Sequence, residues 1–468
     1  MGEAHISSVV SVAYQPRGLG SLTTDPLTDA TSCARDAPLM AKLGLNVVRV
    51  YEVDPRKNHD ACMKSFAENG LYLLLDIATP KFSVNRKEPQ YTSFLYNAYK
   101  SVVDAFGKYD NILAFIAGNE VTNDKTNTQA SPFVKAAIRD IKQYVRNTQK
   151  RYIPVGYASN DDENIRDSMK DYFNCGDEEA QADFFGVNLY EWCGASTFEK
   201  SGYADRTREF ASYSKPVFLS EYGCNLVTPR RFGEVSAIYG SGMNNVWSGG
   251  VVYEWTQEKN NYGLVKIDEK GDAQMLEDYT HLQRALQQVN LPQKKMTESD
   301  KRPTSNCPAQ SDTWKASAVL PPTPSEGACE CMRNNLACVA SSKVTNTNGS
   351  NNTSILGSQI DMLCGVVSCN DIGANGEDGK YGAYSFCAAS DKLSWLYHLY
   401  TQQNKQRNSC DFDGYAQSVA PRRNDLSECA NIAPNIEGGG GIGLGNSATA
   451  TINFNTRWAT VVLIKNGT

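Results

Sequence analysis

Through the first 290 residues the chain alternates short apolar runs with amphipathic stretches, and this alternation is its strongest structural signal. The apolar runs Val9–Gln15, Asn46–Val53, Tyr72–Ala78, Ile112–Glu120, Ile153–Ala158, Phe184–Tyr190, Val217–Glu221 and Gly249–Trp255 read as strands. Pro26–Leu43, Phe94–Phe106, Pro132–Thr148 and Ala273–Gln288 read as helices between or after them. Ser131 before Pro132 is read as an N-cap followed by a first-turn proline. Eight strand-then-helix units over about 280 residues predict an α/β fold, a parallel sheet closed into a (β/α)8 TIM barrel. The alternative is a doubly wound sheet, but no glycine fingerprint follows an early strand to support it.

The pattern changes near Asn290. Residues 291–320 are polar and proline-containing, which predicts a linker or a strap wrapped on the barrel. Residues 321–435 gather Cys329, Cys331, Cys338, Cys364, Cys369, Cys387, Cys410 and Cys429. That density predicts a second, smaller disulfide-rich domain, because a unit of this size gains much from cross-links. Spacing leaves its pairing open. Residues 436–468 combine the glycine run Gly438–Gly445 with a candidate strand, Thr451–Ile464. No βαβ unit surrounds the glycines, so they are not read as a nucleotide loop. The expected organisation is therefore a barrel over residues 5–290 followed by these three segments.

Composition narrows the chemistry. Forty-six basic and 52 acidic residues give a net charge of −6, which argues against nucleic acid or an anionic membrane as partner. No apolar run approaches the roughly 18–20 residues that span a bilayer. The four histidines, His5, His59, His281 and His398, sit in no metal or triad motif, so neither a metal nor a cofactor is expected. Fourteen cysteines without a C-x-x-C pair point to disulfides in an oxidising compartment. Cys33, Cys62, Cys175, Cys193 and Cys224 in the first part are odd in number, so Cys307 is expected to tie the strap to the barrel. Sequons at Asn348, Asn351 and Asn352 agree with secretion, and the opening Met1-Gly2-Glu3-Ala4 does not read as a signal peptide. A mature secreted form is expected.

Two of the predicted strands, the fourth and the seventh, end in glutamate: Glu120 and Glu221. A barrel presents its chemistry where strands end, at the C-terminal face. A strand-end glutamate ordinarily just pairs with a cation. Two at matching barrel positions, with Asn119 beside one of them, suggest glycosyl transfer. One carboxyl must hold a proton for the leaving oxygen; the other must stay ionised to meet an oxocarbenium-like centre.

Several ordered strings then carry a family resemblance: Tyr14-Gln15-Pro16-Arg17-Gly18, Asn46 to Tyr51, Asp54-Pro55, Ala117 to Asn123, Asn160-Asp161-Asp162, Tyr190-Glu191-Trp192-Cys193, Ser220 to Cys224, Val246 to Gly250 and Asn261-Tyr262-Gly263. Over nearly its whole length the chain resembles glycoside hydrolase family 72, the fungal cell-wall β-1,3-glucanosyltransferases, which are usually GPI-anchored. The cysteine-rich part is similar to the X8 module, or carbohydrate-binding module family 43. The resemblance implies Glu120 as acid/base and Glu221 as nucleophile. It implies Asn119 as partner of the sugar 2-hydroxyl, and Gln15, Tyr51, Asp76, Asp161, Arg166, Tyr190 and Tyr253 as residues lining the donor and acceptor subsites. It also implies the disulfides Cys33–Cys62, Cys175–Cys307 and Cys193–Cys224. Arg17 stands where the family often has glycine.

The activity this implies is retaining transfer: an internal β-1,3 linkage of glucan is cleaved and the new reducing end passes to the non-reducing end of another chain. The expected partners are donor and acceptor glucan chains. The expected location is extracellular, at the cell surface or wall, with membrane attachment only through a GPI anchor of the native precursor. An endo-β-1,3-glucanase is the alternative within enzymes. A non-catalytic glucan-binding wall protein is the alternative outside them, with Trp314, Tyr381, Tyr384, Phe386 and Trp395 as stacking residues, although these could equally pack a small core. Tyr190, Trp192, Tyr253 and Trp255 are the candidate sugar platforms of the barrel.

Overall fold

The computed structural model describes residues 8–16, 25–291, 303–345, 350–404, 409–422, 426 and 428–432; for 350–354 only the helical backbone is described. Arg17, the three sequons, the glycine run and the candidate strand Thr451–Ile464 lie outside the described residues or side chains.

Eight parallel strands close into a barrel: β1 Val9–Ala13, β2 Val47–Val50, β3 Tyr72–Asp76, β4 Ile112–Asn119, β5 Val155–Asn160, β6 Phe185–Asn188, β7 Val217–Tyr222 and β8 Trp247–Val252. Closure comes from β1 pairing with β2 on one side (Ser11 with Val47) and with β8 on the other (Val12 with Val252). Helices α1 Ala30–Leu43, α2 Asp60–Glu68, α3 Ser93–Phe106, α4 Ser131–Thr148, α5 Arg166–Tyr172, α6 Tyr203–Phe210, α7 Glu234–Ile238 and α8 Glu277–Gln287 cover the outside. Alternation along each strand divides the apolar residues between two cores. Ala13, Val47, Leu74, Ala114, Ile116, Ala158, Phe184, Phe218 and Val251 fill the barrel interior. Val12, Val48, Leu73, Phe115, Tyr157 and Leu219 belong to the larger core between sheet and helices.

Six of the strands, all but β5 and β7, stop short of their apolar runs at the C-terminal end. Gln15, Tyr51, Glu120, Tyr190 and Tyr253 therefore stand just past the ladder, on the rim. Three helix readings are corrected. Pro26–Leu43 is not one helix: Pro26–Thr28 forms a 3-10 turn, and α1 starts at Ala30 after the extended N-cap Asp29, whose side chain accepts from the N–H groups of Thr31 and Ser32. Ala273–Gln288 is not one helix: Ala273–Met275 is strand β10, antiparallel to β9 Val265–Ile267. The turn between them needs Gly271 at φ +86, and α8 starts only at Glu277. Ser131 is the first residue of α4 rather than its cap, and its hydroxyl pairs with that of Thr122 at 2.8 Å.

Residues 303–320 run as a strap along the barrel. Cys307 is bonded to Cys175, and Trp314 is fully buried against Tyr172, ring centroids 5.3 Å apart. The segment beyond carries helices Glu326–Asn335, Ser350–Cys364 and Ala389–Gln403 around a third, separate core that contains Cys329, Cys338, Leu393, Trp395, Leu396 and Tyr397. Its disulfides are Cys329–Cys387, Cys331–Cys429, Cys338–Cys410 and Cys364–Cys369. This unit is fastened to the barrel. Ser93 N–H donates to the Phe386 carbonyl at 2.8 Å, Lys392 Nζ to Gln90 Oε1 at 2.9 Å, and Phe133 meets Tyr381 edge-on at 5.7 Å. Trp314, Tyr384, Phe386 and Trp395 are buried, so none of them is an open stacking platform.

Candidate active site

The sequence places a charge inside an apolar strand, Val47-Val48-Arg49-Val50, and the site is built around it. Arg49 is fully buried and holds Asp76, itself 1% exposed, through Nε at 3.0 Å and Nη2 at 2.9 Å. Burial opposes the guanidinium charge, but Asp76, with Tyr51 and Glu221, raises its pKa above the ordinary value. Burial likewise pushes the Asp76 carboxyl up, and Arg49 opposes that. The remaining nitrogen, Nη1, donates to the Ser220 carbonyl at 2.8 Å and lies 3.5 Å from Glu221 Oε1.

Glu221 sits on β7, 12% exposed at its side chain. Tyr51 donates its hydroxyl to Oε1 at 2.9 Å and Tyr190 donates to Oε2 at 2.8 Å. Burial raises the carboxyl above its ordinary 4.5; Arg49 and the hydroxyls of Tyr190 and Tyr51 oppose that rise, and the charge of Glu120 adds to it. Burial also raises the phenols of Tyr51 and Tyr190, so both remain donors. The result is a carboxylate gripped on both oxygens within reach of a fixed cation.

Glu120 follows the last residue of β4 with φ +49, a left-handed conformation that glutamate rarely adopts. Its N–H donates to the Ala158 carbonyl at 2.9 Å and its carbonyl accepts from Arg86 Nη2 at 2.6 Å, which holds the strained turn. The side chain, half-buried, accepts from Asn188 Nδ2 at Oε1, 2.7 Å. Asn188 also donates to Asn119 Oδ1 at 3.2 Å. Register shifts interrupt the ladders between Ile116 and Asn119 on β4 and between Val187 and Asn188 on β6, beside the residues that carry this network.

Three tyrosines cluster beside the two carboxyls at this end of the barrel. Tyr253 stands 6.5 Å from Tyr190 and 5.2 Å from Tyr262, all edge-on, and Gln15 Nε2 donates to the Tyr253 hydroxyl at 2.8 Å. Gln15, Tyr51, Asn119, Glu120, Tyr190, Glu221 and Tyr253 are thus brought to one end of the barrel. Asp76 is not a lining residue: both its oxygens are taken by Arg49, and it acts from behind. Asp161 and Arg166 pair with each other in an ionic group with Arg206 and Glu209. Trp192 and Trp255 are buried and are not platforms.

Residues 5–290 match the family model described as glucanosyltransferase, more than half of the chain. The chain belongs to the glucanosyltransferase family. A second model, the X8 domain, matches residues 336–417. Among similar glucanosyltransferases, the 1,3-beta-glucanosyltransferase GAS2 of Saccharomyces cerevisiae is 42% identical over 88% of this chain and 75% of its own length. The 1,3-beta-glucanosyltransferase of Arthroderma benhamiae is 44% identical over 87% of this chain and 74% of its own. A solved structure of a mutant of Saccharomyces cerevisiae Gas2p, in complex with laminaritetraose and laminaripentaose, superposes with a TM-score of 0.81 at 40% identity, covering 91% of this chain and 93% of that one.

Four glucanosyltransferase residues at this site are not singled out by sequence reasoning: Arg49, Asn188, Tyr262 and Arg86. Arg49 had a legible signal, a lone cation in a buried strand. Asn188, at the end of an apolar run, had only its place. Tyr262 had only its place in the string Asn261-Tyr262-Gly263, and Arg86, on a loop, had no signal.

Proposed function

We propose that the chain is a retaining 1,3-β-glucanosyltransferase in which Glu221 is the nucleophile and Glu120 the acid/base. The observation that carries this reading is the asymmetric dressing of two carboxyls at one barrel end. Glu221 accepts two phenol hydrogen bonds and lies beside Arg49, which suits a group that must be ionised to attack. Glu120 stands at the end of β4, near enough for its charge to act on Glu221, and its carboxyl meets an amide rather than a cation in that network.

In the first step the Glu221 carboxylate attacks the anomeric carbon of a β-1,3-linked glucosyl unit while Glu120 protonates the departing 3-oxygen. Asn119 is placed beside Glu120 to meet the 2-hydroxyl. In the second step Glu120 takes the proton from the 3-hydroxyl of an acceptor, which attacks the glycosyl–Glu221 ester. Water competes for that ester, and transfer prevails only if an acceptor sugar is held in line. Tyr253 and Tyr262 offer hydroxyls and ring faces for this, Tyr190 its ring and Gln15 its amide. A metal or redox cofactor has no part in the scheme.

Glu120→Gln and Glu221→Gln are each expected to abolish the appearance of products longer than a reduced laminari-oligosaccharide donor, with unfolding temperature unchanged. Undiminished transfer in either variant removes its assigned role. Products only shorter than the donor from the unmodified protein would favour the endo-β-1,3-glucanase reading instead.

All fourteen cysteines are disulfide-bonded, which fits an extracellular or cell-surface location. A GPI anchor on the native precursor is the finer proposal, tested by release of the protein from cells with a phosphatidylinositol-specific phospholipase.

A further inference from the structure

The network around Glu120 contains a residue with no role in the scheme so far. Asn188 ends β6 and is 5% exposed. Its amide nitrogen faces two oxygens, Glu120 Oε1 at 2.7 Å and Asn119 Oδ1 at 3.2 Å, and its own oxygen accepts the Ser220 hydroxyl at 2.7 Å. Reversing the amide would set its oxygen against both acceptors, so only one orientation satisfies the site. Ser220 locks that orientation from β7, and Gly186 makes room for it: a Cβ at 186 would lie 2.6 Å from Ser220 Cβ and 2.7 Å from Oγ. The Ser220 carbonyl is in turn bonded to Arg49 Nη1 at 2.8 Å, so one chain of hydrogen bonds joins the supports of both carboxyls.

A protonated carboxyl carries its hydrogen on one oxygen and accepts on the other. The oxygen that already accepts from an amide is the poorer place for the proton. We propose that Asn188, locked by Ser220, is a positioning residue that reserves Glu120 Oε1 as acceptor and so keeps the transferable proton on Oε2. This rests on the acid/base assignment of Glu120. As Glu221 bonds to the anomeric carbon and the glycosidic C–O bond breaks, the Oε2 proton passes to the leaving oxygen. The carboxylate left behind keeps its hydrogen bond from Asn188. The acceptor hydroxyl returns a proton to Oε2 when its oxygen displaces Glu221.

The test separates proton delivery from everything else. A 2-deoxy-2-fluoro-β-laminaribioside with a dinitrophenol leaving group needs no acid, and it would label Glu221 covalently, read as a mass increase. Asn188→Ala is expected to lower kcat for transfer from reduced laminari-oligosaccharide by about 100-fold, within the range of acid–base effects, with KM little changed. Its rate of labelling by the fluoride-substituted probe should match that of the unmodified protein. Ser220→Ala should show the same pattern more weakly. An equal fall in labelling and transfer would make Asn188 merely structural, and unimpaired transfer would deny it any role; either overturns the proposal. Glu120→Gln, run alongside, should also lose transfer and keep labelling; if it keeps transfer, the acid/base assignment itself is wrong.

Discussion

Arg49 illustrates how much a single residue can decide. Three of its hydrogen bonds go to two acceptors from other strands, Asp76 and Ser220, and its charge lies beside Glu221. A lysine keeps the charge but cannot grip Asp76 with two nitrogens and still reach β7. Arg49→Lys should therefore fold, with lower stability, and should label Glu221 more slowly with an activated fluoro-glycoside. Asp76→Asn removes the paired counter-charge of the buried cation and leaves only Glu221, 3.5 Å away, to face it. Breaking a buried pair costs about 3–5 kcal/mol, so this variant should lose stability in urea titration by that order. A loss below about 1 kcal/mol would mean that the pair is not the support it is taken for.

The elements place these side chains through their ends. β4, β6 and β7 lose register near their C-terminal residues, and there the ladder stops dictating which way a side chain points. The strap is an element of another kind, with little regular structure of its own, so it depends on what fastens it. Replacing both Cys175 and Cys307 by serine should destabilise the protein by about 5 kcal/mol, as expected for a closed loop of sequence separation 132. Trp314→Ala should cost about 3–5 kcal/mol through the cavity it leaves. Thermal unfolding checks both, and a shift in neither would mean the strap is only laid on the surface. At the start of α7, burial pushes the Glu234 carboxyl from 4.5 up to about 7, although Arg230 opposes this. A raised carboxyl supports the fold while protonated. Its contribution is complete below the unfolded value and is lost as pH rises through about 7. The protein should thus lose stability between pH 5 and pH 8. Glu234→Gln, neutral throughout, should flatten that slope in urea unfolding at the two pH values; an unchanged slope counts against it.

At the scale of the whole molecule, the disulfide-rich unit and the barrel share hydrogen bonds and a ring contact, and Tyr381 packs against the barrel core. The two should unfold together, as a single calorimetric transition. Phe133→Ala, at the contact with Tyr381, should lower the unfolding temperature without splitting that transition. Two resolved transitions would mean that each part stands alone. Seven disulfides and three apolar cores hold the rest of the molecule, so the rim can carry a strained residue such as Glu120.

The barrel was legible in the chain because its strands are continuous apolar runs and its helices amphipathic, signals that depend on period alone. Glu120 and Glu221 were legible because a carboxylate at the end of an apolar strand is conspicuous. Tyr262, Arg86 and the buried place of Asp76 were not, since loops carry no period and burial of a charge depends on which partner the fold supplies. Local spacing likewise could not divide residues 273–288 into a hairpin strand and a helix, because the glycine turn at 271 and pairing with β9 override helical spacing there. The sequence by itself determined the barrel, the two carboxyls and the family. Only the tertiary structure decided which oxygen each partner holds, because hydrogen bonds between β2, β4, β6 and β7 join residues up to 172 positions apart, and no local pattern encodes such a meeting.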